Sequence, residues 1–183
     1  MHIMALEKQK DVLMAAQIGQ TLAIRLMGRG SFKISPTLKR FIHQARDSGK
    51  VQTILIDMTD CIGMDSTFMG MLAGLSSFLK KRGSITLKLI YLSEKNQKLL
   101  STLGVDRIVA SSPSATAEEA ALLSSIQNAT PLLKDDVAED KLDAVRTALE
   151  AHQSLAEISE ENQVRFRSVL ELLQDDLHTL SHP

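Results

Sequence analysis

Thr53-Ile54-Leu55-Ile56-Asp57-Met58-Thr59-Asp60-Cys61-Ile62-Gly63-Met64-Asp65-Ser66-Thr67-Phe68-Met69-Gly70 decides how this chain folds. The apolar run at its start has the composition of a strand covered on both faces. A short polar stretch follows. Phe68, Met71, Leu72, Leu75 and Leu79 then recur at helical spacing as far as Arg82-Gly83. The segment reads strand, loop, helix, with Asp65 and Ser66 at the helix entry. A hydroxyl there stands at the positive end of a helix dipole. Spacing alone leaves two readings open. In one, Ser66 caps the helix and Asp57 satisfies loop amides. In the other, Ser66 is a phosphoacceptor with acidic neighbours, and a phosphate adds about −1.5 to −2 charge beside Asp57 and Asp65. Such a change suits a switch better than a catalyst.

Working outward, Val51 to Met58 is the central strand. Asp11 to Gln17 and Gln20 to Met27 read as two strands around Ile18-Gly19, with Leu22, Ile24 and Leu26 alternating with Ala23 and Arg25. Gly28-Arg29-Gly30 reads as a turn, since it lacks the third glycine of a phosphate-cradling loop. Ser35-Pro36 starts a helix, Ser as N-cap and Pro first inside, and Ser48-Gly49 ends it. Ile85 to Leu92 is a further strand. Ser93 caps a helix stopped by Gly104, and Val105 to Ala110 reads as a short edge strand. The order β-β-α-β-α-β-α places the chain in the α/β class. It predicts a mostly parallel sheet of four to five strands flanked by helices, with an antiparallel leading hairpin.

Nine glycines all lie between Gly19 and Gly104, and none follows Pro131. The organisation expected is an α/β domain over 1–110, a linker over 111–116 and an all-α extension over 117–183. Thr116-Ala117-Glu118-Glu119 matches a capping box. From Leu142 through Val145, Leu149, His152, Ala156, Ser159, Gln163, Phe166, Leu170, Leu173 and Leu177 to Leu180, the stripe keeps spacings of three and four. It is polar in the middle, from His152 to Gln163. Either a long helix pairs with another chain, as a coiled coil giving a homodimer, or the chain folds back near 156–163 as a helical hairpin. Residues 131–183 carry 5 Lys/Arg against 12 Asp/Glu, and residues 1–130 carry 16 against 10, so the two parts attract each other or serve different partners.

Composition excludes several classes. Aromatics make up 3% and Trp is absent, against a stacking platform for nucleic acid. The lone Cys61 forms no internal disulfide and suits a reducing cytoplasm. Met1 to Lys8 lacks a signal-peptide core, and no run is long enough to insert in a membrane. Gly63-Met64-Asp65-Ser66-Thr67 lacks the second glycine of a nucleophile elbow, and no histidine is tied to Ser66 by sequence. His178 and His182 are spaced for a metal but lie at a fraying end, so neither metal nor cofactor is expected. Met64, Met69 and Met71 cluster near Ser66, as core or as an adaptable docking surface.

Ile54-Leu55-Ile56-Asp57 followed by Met64-Asp65-Ser66-Thr67-Phe68-Met69-Gly70 resembles the STAS domain of bacterial anti-sigma factor antagonists, over about residues 8–110. The shared marks are the strand ending in Asp, the Asp-Ser-(Ser/Thr) helix entry and a glycine four residues after the serine. The resemblance implies a non-enzymatic protein whose Ser66, with Thr67 as second candidate, is phosphorylated by a partner anti-sigma factor that is a serine kinase. A serine phosphatase would reverse the step. Asp57, Met64, Asp65, Thr67, Phe68 and Met69 would form the partner-binding surface. Phe68 departs from the family, where a small glycine is usual, and so would reshape that surface. The alternative is a constitutive scaffold subunit of a signalling or membrane-transport complex, with Ser66 only a helix cap. The family implies nothing for the acidic tail.

Overall fold

Alternation along three strands builds both sides of the sheet in the computed structural model, which describes residues 11–83, 85–128 and 140–181. Expectations that fall on Met1 to Lys8, His2, Pro131 and His182 lie outside the described residues. On β2 (Thr21–Gly30), Leu22, Ile24 and Leu26 face one core and Ala23 the other. On β3 (Thr53–Asp57), Ile54 and Ile56 face the first and Leu55 the second. After β4 (Cys61–Met64), β5 (Thr86–Ile90) repeats the pattern with Leu87 and Leu89 against Ile90. A strand apolar on both faces can only sit in the middle of a layered fold.

β1 (Val12–Ile18) pairs antiparallel with β2, and β6 (Ala110–Ser112) closes the far edge. The order is β1-β2-β3-β5-β6, all parallel after the hairpin, with β4 pairing parallel to the end of β2. The sheet thus has six strands. β4 lies where a loop is expected: Asn96 Nδ2 donates to the Cys61 carbonyl at 2.9 Å and holds the segment extended. Gly28-Arg29-Gly30 is not a turn but the end of β2, whose register shifts between Gly28 and Arg29. Gly28 takes φ +90°, a conformation glycine adopts without strain. Val105 to Arg107 forms a 3-10 turn, and the edge strand follows it.

α1 (Ser35–Asp47), α2 (Ser66–Gly83) and α3 (Glu94–Thr102) follow the β-α alternation. Ile34 occupies the N-cap of α1, and Ser35 is its first residue, with Oγ donating to the Ser31 carbonyl at 2.8 Å. α4 (Ala117–Ser124) opens with the expected capping box between Thr116 and Glu119. Its Leu123, with Ile126 beyond it, covers the second sheet face against Ala23, Leu55 and Ile90. α5 (Lys141–Ala156) and α6 (Glu160–Ser181) are separate helices, so the chain folds back at Glu157–Ser159 and no continuous coiled-coil helix forms. The polar middle of the stripe is where this turn falls.

Phe68 is fully buried, with its ring against Gly30: a Cβ on Gly30 would lie 2.5 Å from Cδ1. The expectation that Phe68 reshapes a docking surface is therefore corrected, because its ring fills the domain core. Replacing Phe68 by Ala should cost about 3–5 kcal/mol of stability in urea unfolding. A surface side chain at this position would change stability by less than about 0.5 kcal/mol.

Candidate functional site

The site is built at the C-terminal edge of the parallel strands, where β2, β3 and β4 meet the first turn of α2. Asp57 ends β3 only 2% exposed. Its Oδ1 accepts the Thr59 amide at 2.9 Å and the Thr59 hydroxyl at 2.5 Å, and Arg25 Nε lies 3.1 Å from Oδ2. Arg25 also reaches Asp60 at 3.6 Å. Asp57 thus shapes the turn into β4, in line with its loop-bracing reading.

Asp65 determines the geometry of Ser66. Its Oδ1 accepts the Phe68 amide at 2.8 Å, the bond an N-cap side chain makes to the third residue of a helix. Its Oδ2 accepts the Phe32 amide at 2.7 Å, and its own amide donates to the Gly30 carbonyl at 2.9 Å. Asp65 is therefore the cap, and Ser66 is the first helical residue. The reading of Ser66 as the helix cap is corrected. The longer reach of an ionised carboxylate serves two amides at once, which a hydroxyl cannot do.

Freed from capping, the Ser66 hydroxyl turns to α5. Ser66 Oγ lies 3.0 Å from His152 Nε2. His152 Nδ1 lies 2.8 Å from the Ala148 carbonyl, which can only accept, so Nδ1 carries the proton. In the neutral ring, Nε2 then accepts from Ser66. His152 is 5% exposed, and its ring meets Phe166 edge-on at 5.2 Å between centroids. Serine and histidine stand like a nucleophile and a base, yet the third partner is a helix carbonyl rather than a carboxylate, and the ring is packed inside the hairpin. The contact joins two elements and gives no support to a hydrolase.

Small residues let α5 approach this closely. A Cβ on Gly70 would sit 2.2 Å from the Ala151 carbonyl oxygen, and one on Gly74 would sit 2.7 Å from Ser154 Oγ. Ser66, Gly70 and Gly74 recur every four residues, so they line one face of α2. At the same C-terminal end of α5, Asn162 Nδ2 donates to the Leu103 carbonyl at 3.0 Å and the Leu155 carbonyl at 2.9 Å, fixing the hairpin turn beside Gly104. Lys39 pairs with Glu150 and Arg40 with Asp143, so the basic first region and the acidic tail attract each other within one chain. A cleft of about 280 Å³ remains between α1, α2 and α5, lined by His43, Met71, Phe78 and Thr147 among others. Burial, then Arg46 and Lys39, hold the His43 imidazole below its ordinary value.

Of the expected partner-binding residues, Met64 and Met69 are 5% exposed and Thr67 is 7% exposed, so these three join Asp57 and Phe68 inside. They are part of the core in this arrangement, with α5 and α6 docked. Asp65 and Ser66 remain half-buried at the rim. The exposed apolar side chains beside them are Phe32 and Ile62, at 50% and 51%. Neither is singled out by the sequence reading, though the alternation Cys61 in, Ile62 out, Gly63 in was legible had β4 been recognised. Cys61 is buried, and that burial pushes its thiol pKa up.

A family model described as STAS domain matches residues 12–120. The chain belongs to the STAS domain family. Its fold is similar to that of the anti-sigma factor antagonist SpoIIAA in its unphosphorylated form, with 24% identity and a TM-score of 0.50 over 63% of this chain and 99% of that one. It is also similar to a Thermotoga maritima protein proposed to be an anti-sigma factor antagonist, with 16% identity and a TM-score of 0.51 over 63% of this chain and 95% of the other. None of the curated protein sequences matches it. α5 and α6 lie outside the residues the family model matches.

Substituting Asp65 by Ala removes both accepted amide bonds and should lower stability by about 1–2 kcal/mol. Urea unfolding measures it, and a variant as stable as the parent would mean that neither bond holds the helix entry.

Proposed function

We propose that this chain is a non-enzymatic partner-switching protein of the anti-sigma antagonist kind. In its unmodified form it binds an anti-sigma factor that is also a serine kinase, through the rim formed by Asp65, Ser66, Phe32 and Ile62. Phosphorylation of Ser66 ends that complex, and a serine phosphatase restores it. The cofactor of the transfer, ATP, belongs to the kinase. The observation that carries this reading is the division of labour at the helix entry: Asp65 caps, so the Ser66 hydroxyl has no capping role at the positive end of α2 and makes only a side-chain bond, to His152. Two exposed apolar side chains, Phe32 and Ile62, lie on the segments that lead to it, and a protein partner can use them. Family membership points the same way. Among the described residues no helix is long and apolar enough to cross a membrane, which fits a cytoplasmic switch.

A phosphate on Ser66 acts on a docked partner in two ways. It adds bulk at the rim, and it adds negative charge beside Asp65, which an acidic or apolar partner surface cannot solvate. Thr67, being buried, is the less accessible of the two hydroxyls. Self-association, if the tail provides it, belongs to the second half of α6, where Leu172 is 61% and Leu180 40% exposed.

The test is binding of Ser66→Asp and Ser66→Ala to the cognate kinase by calorimetry. Ser66→Asp should bind at least about tenfold more weakly, near 1.4 kcal/mol. Ser66→Ala should bind and resist phosphorylation. Equal affinity of Ser66→Asp and parent, together with intact-mass spectra of the native protein that never show a phosphorylated form, would leave the constitutive scaffold as the better account.

A further inference from the structure

We propose that the α5–α6 hairpin is a displaceable cover over the Ser66 end of α2, and that its release presents this end to a partner. The inference rests on the reading of that end as the partner face. Four observations carry it. The hairpin lies on the same face of α2 that bears Ser66, with the Ala151 carbonyl seated where any side chain at Gly70 would stand. The Ser66 hydroxyl is occupied by His152 Nε2 at 3.0 Å. The hydrogen that Ser66 donates in this bond is the one a phosphoester replaces, so modification removes the bond as it stands. Finally, the hairpin is an element outside the matched family residues, laid over a domain whose sheet is complete without it.

The closed arrangement is held by buried apolar contacts and by surface ion pairs. Leu155 is fully buried and Ala151 and Phe166 nearly so, which favours closure. Against this, Thr147 of α5 lines the cleft beside Met71 and Phe78, so this part of the hairpin is not packed tightly on α2. The Lys39–Glu150 and Arg40–Asp143 pairs lie at the surface, where salt screens them. Asn162 anchors the turn to Leu103. His152 lies within one helical turn of this anchor, so freeing the Ser66 end moves the hairpin turn as well.

Two full-length variants, both carrying Cys61→Ser, test this without any kinase. In the first, Ser66→Cys supplies a thiol whose reaction with DTNB reports access to the site. Adding Lys39→Glu and Arg40→Glu sets like charges against Glu150 and Asp143 on an exposed surface, where folding is not at risk. The thiol should then react at least about tenfold faster, an opening shift of roughly 1.4 kcal/mol. Adding Leu155→Glu in place of the charge reversals should do the same. In the second, Gly74→Cys with Ser154→Cys places two Cβ atoms 3.6 Å apart by the present geometry, within the range a disulfide spans. Oxidation should close this bond, and backbone amides of the first turn of α2 should exchange more slowly than after reduction.

Equal DTNB rates in the closed and charge-reversed reporters, or failure of the disulfide to form, would overturn the cover. These outcomes separate from those of the functional reading. A working cover on a protein whose Ser66 is never phosphorylated keeps this inference and removes the switch. A phosphorylated Ser66 with unchanged DTNB rates does the reverse.

Discussion

A single carboxylate organises the functional end of the molecule. Asp65 accepts the Phe32 amide from the β2–α1 connection and the Phe68 amide from the first turn of α2. These are charge-assisted bonds to two backbone segments far apart in sequence, so one side chain fixes both the start of the helix and the loop over it. Everything that distinguishes the site follows. Phe68 is directed down onto Gly30 and into the core. Ser66 is left without a structural bond in its own domain, and its hydroxyl points where α5 can meet it.

The second constraint is steric. A helix that places Ser66, Gly70 and Gly74 on one face has a shallow groove down that face, and a groove without side chains admits another backbone. α5 fills it so closely that Gly70 tolerates no Cβ. The glycine four residues after Ser66 thus has a use in this chain that differs from local flexibility: it is the seat of the tail. The same groove explains why the tail folds back. A stripe apolar at both ends and polar at His152 to Gln163 cannot zip against a copy of itself along its whole length. Once turned at Glu157–Ser159, the His152 ring packs against Phe166 and Asn162 meets the carbonyl of Leu103.

What was legible in the sequence was whatever rests on local pattern. The alternating strands β1, β2, β3 and β5 could be read from periodicity, as could the Ser93 cap, the Thr116–Glu119 box and the parallel order that follows from β-α alternation. Three things could not. β4 is four residues whose extended form rests on pairing with the end of β2 and on a bond from Asn96, both more than thirty positions away. The role of cap passed from Ser66 to Asp65 because Phe32 also needed an acceptor, a fact visible only once the loop is folded over the helix. His152 was noted only as a polar break in a heptad stripe. Its meeting with Ser66, 86 positions away, is set by the docking of α5 and by no local signal. The buried state of Met64 and Met69 was equally open, because a methionine suits a core as well as a docking surface.

Placing the cover in the same chain changes what controls such a site. A partner that competes with α5 binds with its intrinsic affinity multiplied by the fraction of molecules already open. If about one molecule in a hundred is open, the apparent affinity falls about a hundredfold. The strength of the hairpin contact, rather than the contacts of the partner, then sets the threshold of response. A cover held in part by surface ion pairs and bordered by a cleft has a strength that salt, sequence change at α1 or loss of the Ser66–His152 bond can each adjust. On the proposed reading, a phosphate at Ser66 would act on two surfaces at once, the rim offered to a partner and the contact with α5 that competes with it.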